Sequence, residues 1–340
     1  MKKSLTIALL GLILALTACG QEEDTLEQET AEKPKTEENQ QETEENNAEK
    51  NAQSEKETTS IVKNEFFEPF KGTIEHVHGL GYVGNQGVAF FASHDGLKLF
   101  DGNEWYKTKK ENNDYMGFNA TANGFYSSGH PGADSSLPNP IGIQKSYDFG
   151  KSLESIALEG EVDFHLMGVG YDNNVIFVKS PHKSSIMEEN KFYISEDEGS
   201  SWREVPAKGL NGEIISLAVH PNDENLMAAA GKEGIFLSSN KGEEFRLLTN
   251  GAHGTSIFFT KGSLIYGAYN EEPMLIKRSL TDQSEKEIKL PELNQDAVLY
   301  FAVNPQNEKE MIFISFNGDI YLTVDGATSW QLIADDGNLK

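Results

Sequence analysis

Two histidines two residues apart, His76 and His78 in the stretch EHVHGLGY (75–82), and a carboxylate and an imidazole at the same spacing, Asp163 and His165 in DFH, are the residues of this chain best suited to chemistry. Imidazole combined with carboxylate is a donor set for zinc, copper, nickel or manganese. Carboxylates alone are the acids, bases and nucleophiles of glycoside hydrolysis, where the separation of the pair sets the stereochemical outcome. These residues are far apart in sequence, so either chemistry requires a fold that brings distant segments to one place.

That fold is written in internal repetition. The segments SYDFGKSL (146–153), SEDEGSSW (195–202), SSNKGEEF (238–245) and TVDGATSW (323–330) share a hydroxyl residue, Asp or Asn two later, a glycine and a closing apolar residue. Their starts lie 49, 43 and 85 residues apart, the last being close to two periods. Degenerate copies fall near SLTDQSEKEIKL (279–290) and LFDGNEW (99–105), which makes six units of similar length, or seven at most. Each unit contains short segments rich in β-branched and aromatic residues bounded by Gly, Asn and Asp, such as NVIFVKS, FYISED, GIFLSSN and MIFISFN. Outside the first twenty residues no segment has a helical period. The expectation is an all-β, six-bladed propeller spanning residues 63–340.

Aligning the units assigns an address to the chemistry. The first strand of each unit lines the central channel, and its entry places His76, Asp114, Asp163 and Glu213 at one level. One strand period further in come His78, Met116, His165, Ile215 and Leu299. His253 in AHGTSIFF and Asp296 in DAVLYF join from the fifth and sixth units, and His130 lies in the Gly/Pro/Ser-rich insertion SSGHPGADSSLPNP (127–140). The ring so formed is a metal site, a carboxylate site for glycoside hydrolysis built on Asp163, Glu213 and Asp114, or a solvated rim. A divalent transition metal is the cofactor such a ring would take. His220 in AVHPND and His94 in ASHDGL are read as turn or structural residues.

The pattern Ser/Thr-x-Asp-x-Gly-x-x-Trp/Phe resembles the Asp box, or BNR repeat, of sialidases, sortilin-type receptors and photosystem assembly propellers. The resemblance covers nearly all of residues 66–336, with Asn240 in place of Asp, Leu153 in place of an aromatic, and Ala327 in place of Gly. It implies that Asp148, Asp197, Asn240 and Asp325 are structural and cap hairpin turns between outer strands. It does not imply sialidase activity. Those enzymes hold the substrate carboxylate with three arginines, and the three in this chain, Arg203, Arg246 and Arg278, align with outer strands. The order HVHGLGY, YMGF, SGHP, NPIGI and DFH is also similar to bacterial surface propeller lipoproteins that carry a glycosyl hydrolase label by analogy. Such a label transfers fold better than chemistry.

The first nineteen residues, MKKSLTIALLGLILALTAC, begin with two lysines and continue with an apolar run too short for a membrane span. The tetrad Leu16-Thr17-Ala18-Cys19 resembles the bacterial lipobox, and Cys19 is the chain's only cysteine. A disulfide framework is excluded, and a lone thiol at a cleavage junction suits lipid attachment. Residues 20–62 form a polar spacer. Within 21–60 there are fourteen acidic residues against four lysines, a net charge of −10, too little apolar surface to offset the entropy of ordering.

Of the total charge of −25, the spacer and the two signal lysines leave −17 for residues 61–340. That charge repels nucleic acid and anionic lipid headgroups and leaves cations, neutral glycans and basic peptides as ligands. No HExxH, phosphate loop or nucleophile elbow is present. The expectation is a monomeric lipoprotein on the extracellular face of the cell membrane, held by lipid on Cys19, whose propeller binds a glycan, peptide or metal ion at the channel mouth. A glycoside hydrolase and a structural or assembly scaffold are the alternatives.

Overall fold

A computed structural model describes residues 64–249 and 251–340; the signal segment, Cys19 and the acidic spacer lie outside the described residues. Among the described residues there is no α-helix, and six antiparallel sheets follow one another along the chain. Blade 1 contains β1 (Phe67–Pro69), β2 (Val77–Tyr82), β3 (Ala89–Ser93), β4 (Gly96–Asp101) and β5 (Glu104–Thr108), with β2 innermost and β1 outside β5. Blade 2 contains β6 (Asp114–Thr121), β7 (Gly124–His130), β8 (Ile143–Ser146) and β9 (Glu154–Ala157). Blade 3 contains β10 (Met167–Val169), β11 (Ile176–Lys179), β12 (Phe192–Ser195) and β13 (Arg203–Val205). Blade 4 contains β14 (Ile214–Val219), β15 (Met227–Gly231), β16 (Gly234–Ser238) and β17 (Arg246–Leu247). Blade 5 contains β18 (His253–Phe259), β19 (Ser263–Asn270), β20 (Glu272–Ser279) and β21 (Glu285–Glu287). Blade 6 contains β22 (Val298–Asn304), β23 (Asn307–Ser315), β24 (Ile320–Thr323), β25 (Gln331–Asp335) and β26 (Asn338–Leu339). The architecture is the expected propeller, and the blade number is six.

Every blade is continuous in sequence, so the ring has to close between the first and the last. Thr73 bridges Asn338, the Ile74 N–H donates to the Gly337 carbonyl at 2.9 Å, and Val77, Leu80, Phe91 and Trp105 of blade 1 pack with Ala302, Ile312, Ile320 and Ile333 of blade 6. Each of the other five seams has its own buried cluster of the same kind. At the channel the seams are tight. A Cβ on Gly79 would stand 2.6 Å from the Cβ of Phe118, and one on Gly81 would stand 2.5 Å from that of Ala120. The glycines of HGLGY therefore set how closely β2 and β6 approach.

The four recurrent turns lie between the third and fourth strands and share one hydrogen-bond scheme. In the best-formed copy the Ser195 Oγ accepts the Gly199 N–H at 2.7 Å and donates to Asp197 at 2.9 Å, while Asp197 accepts the N–H and hydroxyl of Ser201. Ser146 with Asp148, Ser238 with Asn240, and Thr323 with Asp325 repeat it. Ala327 takes φ +66° where the other turns have glycine. The closing residues Leu153, Trp202, Phe245 and Trp330 each pack into the seam with the preceding blade. Arg203, Arg246 and Arg278 lie on the outer strands β13, β17 and β20, away from the channel.

Ser195 is buried, so Ser195→Ala leaves the Gly199 N–H without its acceptor. We expect a loss of about 1–3 kcal/mol in unfolding free energy. Urea denaturation monitored by tryptophan fluorescence measures it, and an unchanged midpoint would show that this bond does not hold the turn.

Candidate functional site

In an antiparallel hairpin the start of one strand lies beside the end of the next, and this rule builds the channel mouth. Val77 at the start of β2 pairs with Ser93 at the end of β3, which puts His94 beside His76 and His78. Asp114 at the start of β6 pairs with His130 at the end of β7. His94 occupies the two-residue turn of SHDG. Ser93 and Asp95 hold that turn through bonds of 2.8 to 2.9 Å, and the buried Lys98 anchors Asp95 at 2.7 Å. His94 is the site residue that the sequence alignment set aside. Its signal was present in the hairpin register, since the turn after β3 returns to the entry of β2.

The inner strands also depart from plain alternation. A register shift between Val77 and Gly79 makes His78 a bulged residue, and His76 precedes the strand with φ +44°. Their rings nevertheless converge on His94, with centroids 5.4 Å and 4.4 Å from it. β10 begins only at Met167, so Asp163 and His165 lie on the preceding loop rather than on one strand face. What joins them is a hydrogen bond, His165 Nε2 to Asp163 Oδ2 at 2.6 Å.

Two imidazole–carboxylate pairs cross adjacent seams. His94 of blade 1 donates from Nδ1 to Oδ1 of Asp114 in blade 2 at 2.8 Å. His130 of blade 2 has Nε2 3.4 Å from Oδ2 of Asp163, which leads into blade 3. With Nδ1 engaged, His94 turns Nε2 toward Nε2 of His78 at 3.2 Å, and donor atoms of His78, His94 and Asp114 all lie within 4.8 Å of one another. Two nitrogens bound to one tetrahedral zinc at about 2.0–2.1 Å are themselves about 3.3 Å apart. The Asp114 contact to the far nitrogen has the arrangement by which an outer carboxylate fixes the tautomer and aim of a histidine that binds metal.

The remaining expected members have other partners. Glu213 is exposed and makes no side-chain hydrogen bond to these groups. His253 is exposed at the start of β18 and bonds the Lys232 carbonyl through Nδ1 at 2.6 Å. Asp296 is buried and accepts the N–H groups of Ala297 and Asn317. His220 is a buried turn residue that accepts the Asp223 N–H at 2.9 Å. The chemistry occupies an arc over blades 1 to 3, and Ile215 and Leu299 continue the rim without it. Asp114 and Asp163 each face an imidazole rather than another carboxylate.

Below the mouth the inner strands enclose a cavity of about 210 Å³, lined mainly by apolar groups including Leu80, Phe118, Leu217 and Phe301. The environment separates the histidines. Burial first, then the neighbouring His94, lowers the proton affinity of His78 and favours the neutral, ligating imidazole. The Asp163 hydrogen bond raises that of His165, with burial opposing.

The chain matches no protein-family profile, and no curated protein matches it by sequence. Its fold is similar to a GH74 enzyme of Niastella koreensis, with TM-score 0.53 and 14% identity over 79% of this chain and 47% of that one. An ancestral GH74 enzyme gives 0.50 and 14% over 79% and 40%. An oligogalacturonate lyase from Vibrio parahaemolyticus gives 0.50 and 11% over 80% and 88%. This chain thus spans less than half the length of either GH74 protein, and at these identities the likeness is one of fold.

Because folding raises the His165 proton affinity, its pair with Asp163 contributes fully below the unfolded value near 6.5 and is lost as pH rises through the folded midpoint. In a histidine NMR titration, His165 should titrate above that value and His78 below it. Asp163→Asn should move the His165 midpoint down; an unmoved midpoint would show that the hydrogen bond is not the cause.

Proposed function

We propose that this chain is a membrane-anchored surface lipoprotein whose propeller binds a divalent transition-metal ion of the zinc class at the channel mouth. The observation that carries the reading is the 3.2 Å spacing of the His78 and His94 Nε2 atoms, with Asp114 on the far nitrogen of His94. His78 and His94 supply the imidazole ligands and Asp114 orients His94. The acidic charge of the domain concentrates cations at such a mouth. Lipid on Cys19 and the acidic spacer would hold the propeller clear of the membrane. The Asp-box-like turns of blades 2, 3, 4 and 6 have a scaffold role that needs no ligand.

A glycan ligand is the second reading. It is favoured by Phe316, which follows β23 at the strand end equivalent to His94 and is 52% exposed, an aromatic face on which a sugar ring can stack. Two neighbours in fold are GH74 enzymes and one is an oligogalacturonate lyase, which sets carbohydrates as the class to try first.

The full chain, stripped with chelator and titrated calorimetrically with Zn2+, should bind with a Kd below about 1 µM. His78→Ala with His94→Ala should weaken that binding at least about 100-fold, on the order of 3 kcal/mol, without changing the thermal midpoint of the stripped protein. Undiminished affinity in the double variant would refute the assignment. Cys19→Ser should move the protein from the membrane fraction to the medium, and retention in the membrane would refute the lipid anchor.

A further inference from the structure

One blade further around the ring the equivalent positions again pair an imidazole with a carboxylate, but through Nε2 and at 3.4 Å rather than through Nδ1 at 2.8 Å. His94 follows the second strand of blade 1 and faces Asp114 at the entry of blade 2; His130 ends the second strand of blade 2 and faces Asp163 on the loop into blade 3. We propose that the mouth holds a second divalent cation between His130 Nε2 and the Asp163 carboxylate, one blade around the ring from the first. This rests on the reading of His78 and His94 as a metal site.

Three features of the second seam suit a positive centre there. The His130 Nδ1 is 2.7 Å from Asn139 Oδ1, an acceptor, and in the neutral tautomer that donates there Nε2 presents a lone pair. That lone pair faces Asp163 Oδ2 at 3.4 Å, an oxygen that already accepts His165 Nε2–H at 2.6 Å. Two acceptors at this distance repel each other unless a cation or a second proton lies between them. The other carboxylate oxygen, Asp163 Oδ1, is buried without any hydrogen-bond partner. A buried carboxylate oxygen left unsatisfied is costly, and neutralising the carboxylate charge with a cation lowers that cost.

The surroundings are those of a positioned ligand pair. Asn139 fixes the His130 ring as Asp114 fixes His94, and His165 holds the Asp163 carboxylate. With one imidazole and one carboxylate from the protein, the second site keeps water ligands and binds more weakly than the first. In the next seam the repeat stops, since His182 turns to the Glu161 carbonyl and Glu213 has no histidine partner.

The test is stoichiometry on the full chain, stripped with chelator, equilibrated with Zn2+ and measured by elemental analysis and calorimetry. Two ions per chain are expected, with affinities at least 10-fold apart. His130→Ala should remove the weaker ion only, and His78→Ala with His94→Ala should remove the tighter one only. Asp163→Asn is the second probe, and His130→Lys, which places an ammonium between the acceptors, should also abolish the weaker ion while keeping the fold by circular dichroism. One ion in the unmodified chain, lost with His78 and His94, would overturn the second site and leave the first standing. Two ions retained in both His130→Ala and Asp163→Asn would overturn it as well. No ion at all would remove both readings.

Discussion

A four-stranded antiparallel blade has two apolar faces and no core of its own, and everything in this structure follows from the need to cover both. Covering one face against a neighbour leaves another open, so the stack ends only when it closes on itself. The seam between blades 1 and 6 is where that happens, through Phe91, Trp105, Ile312 and Ile333 and the short backbone ladder between residues 72–74 and 337–339. Each large aliphatic or aromatic side chain removed from water contributes about 1.5–3 kcal/mol. The seam therefore outweighs any single polar contact at the mouth.

Closure also decides where chemistry can sit. The channel wall is made of inner strands brought so near that β2 carries glycine opposite Phe118 and Ala120, and the cavity they enclose is lined mainly by apolar groups. Functional groups are pushed to strand ends, where backbone leaves the sheet and solvent is within reach. Both imidazole–carboxylate pairs stand there, and each joins one blade to the next across a seam. Their geometry is consequently as rigid as the seam packing, the condition a preorganised metal site requires.

The apolar lining beneath the mouth has an electrostatic consequence. Burial lowers the proton affinity of His78, while Asp163 raises that of His165, so the affinities of two histidines two blades apart are pushed in opposite directions. One environment favours the neutral imidazole that binds metal, and the other favours the N–H that holds a carboxylate in place.

Much of this was legible in the residues. The spacing of the hydroxyl, Asp/Asn and Gly positions revealed the repeat, the repeat implied a propeller, and the alignment of inner strands put His76, His78, Asp114, Asp163 and His165 at one end of the channel. These are local properties, written in turn chemistry and alternation, and they survive without knowledge of partners. Other features depended on the closed ring. His94 looked like an ordinary turn residue because its neighbours, His78 and Asp114, are 16 and 20 residues away and become adjacent only through hairpin register and the blade seam. Glu213 and His253 occupy equivalent repeat positions yet find other surroundings, because similarity of position along a strand does not specify which side chains meet across a seam. The sequence determined the unit and the direction of its strands; the tertiary structure decided which units share a site, since contacts between blades are set by packing and closure rather than by the period.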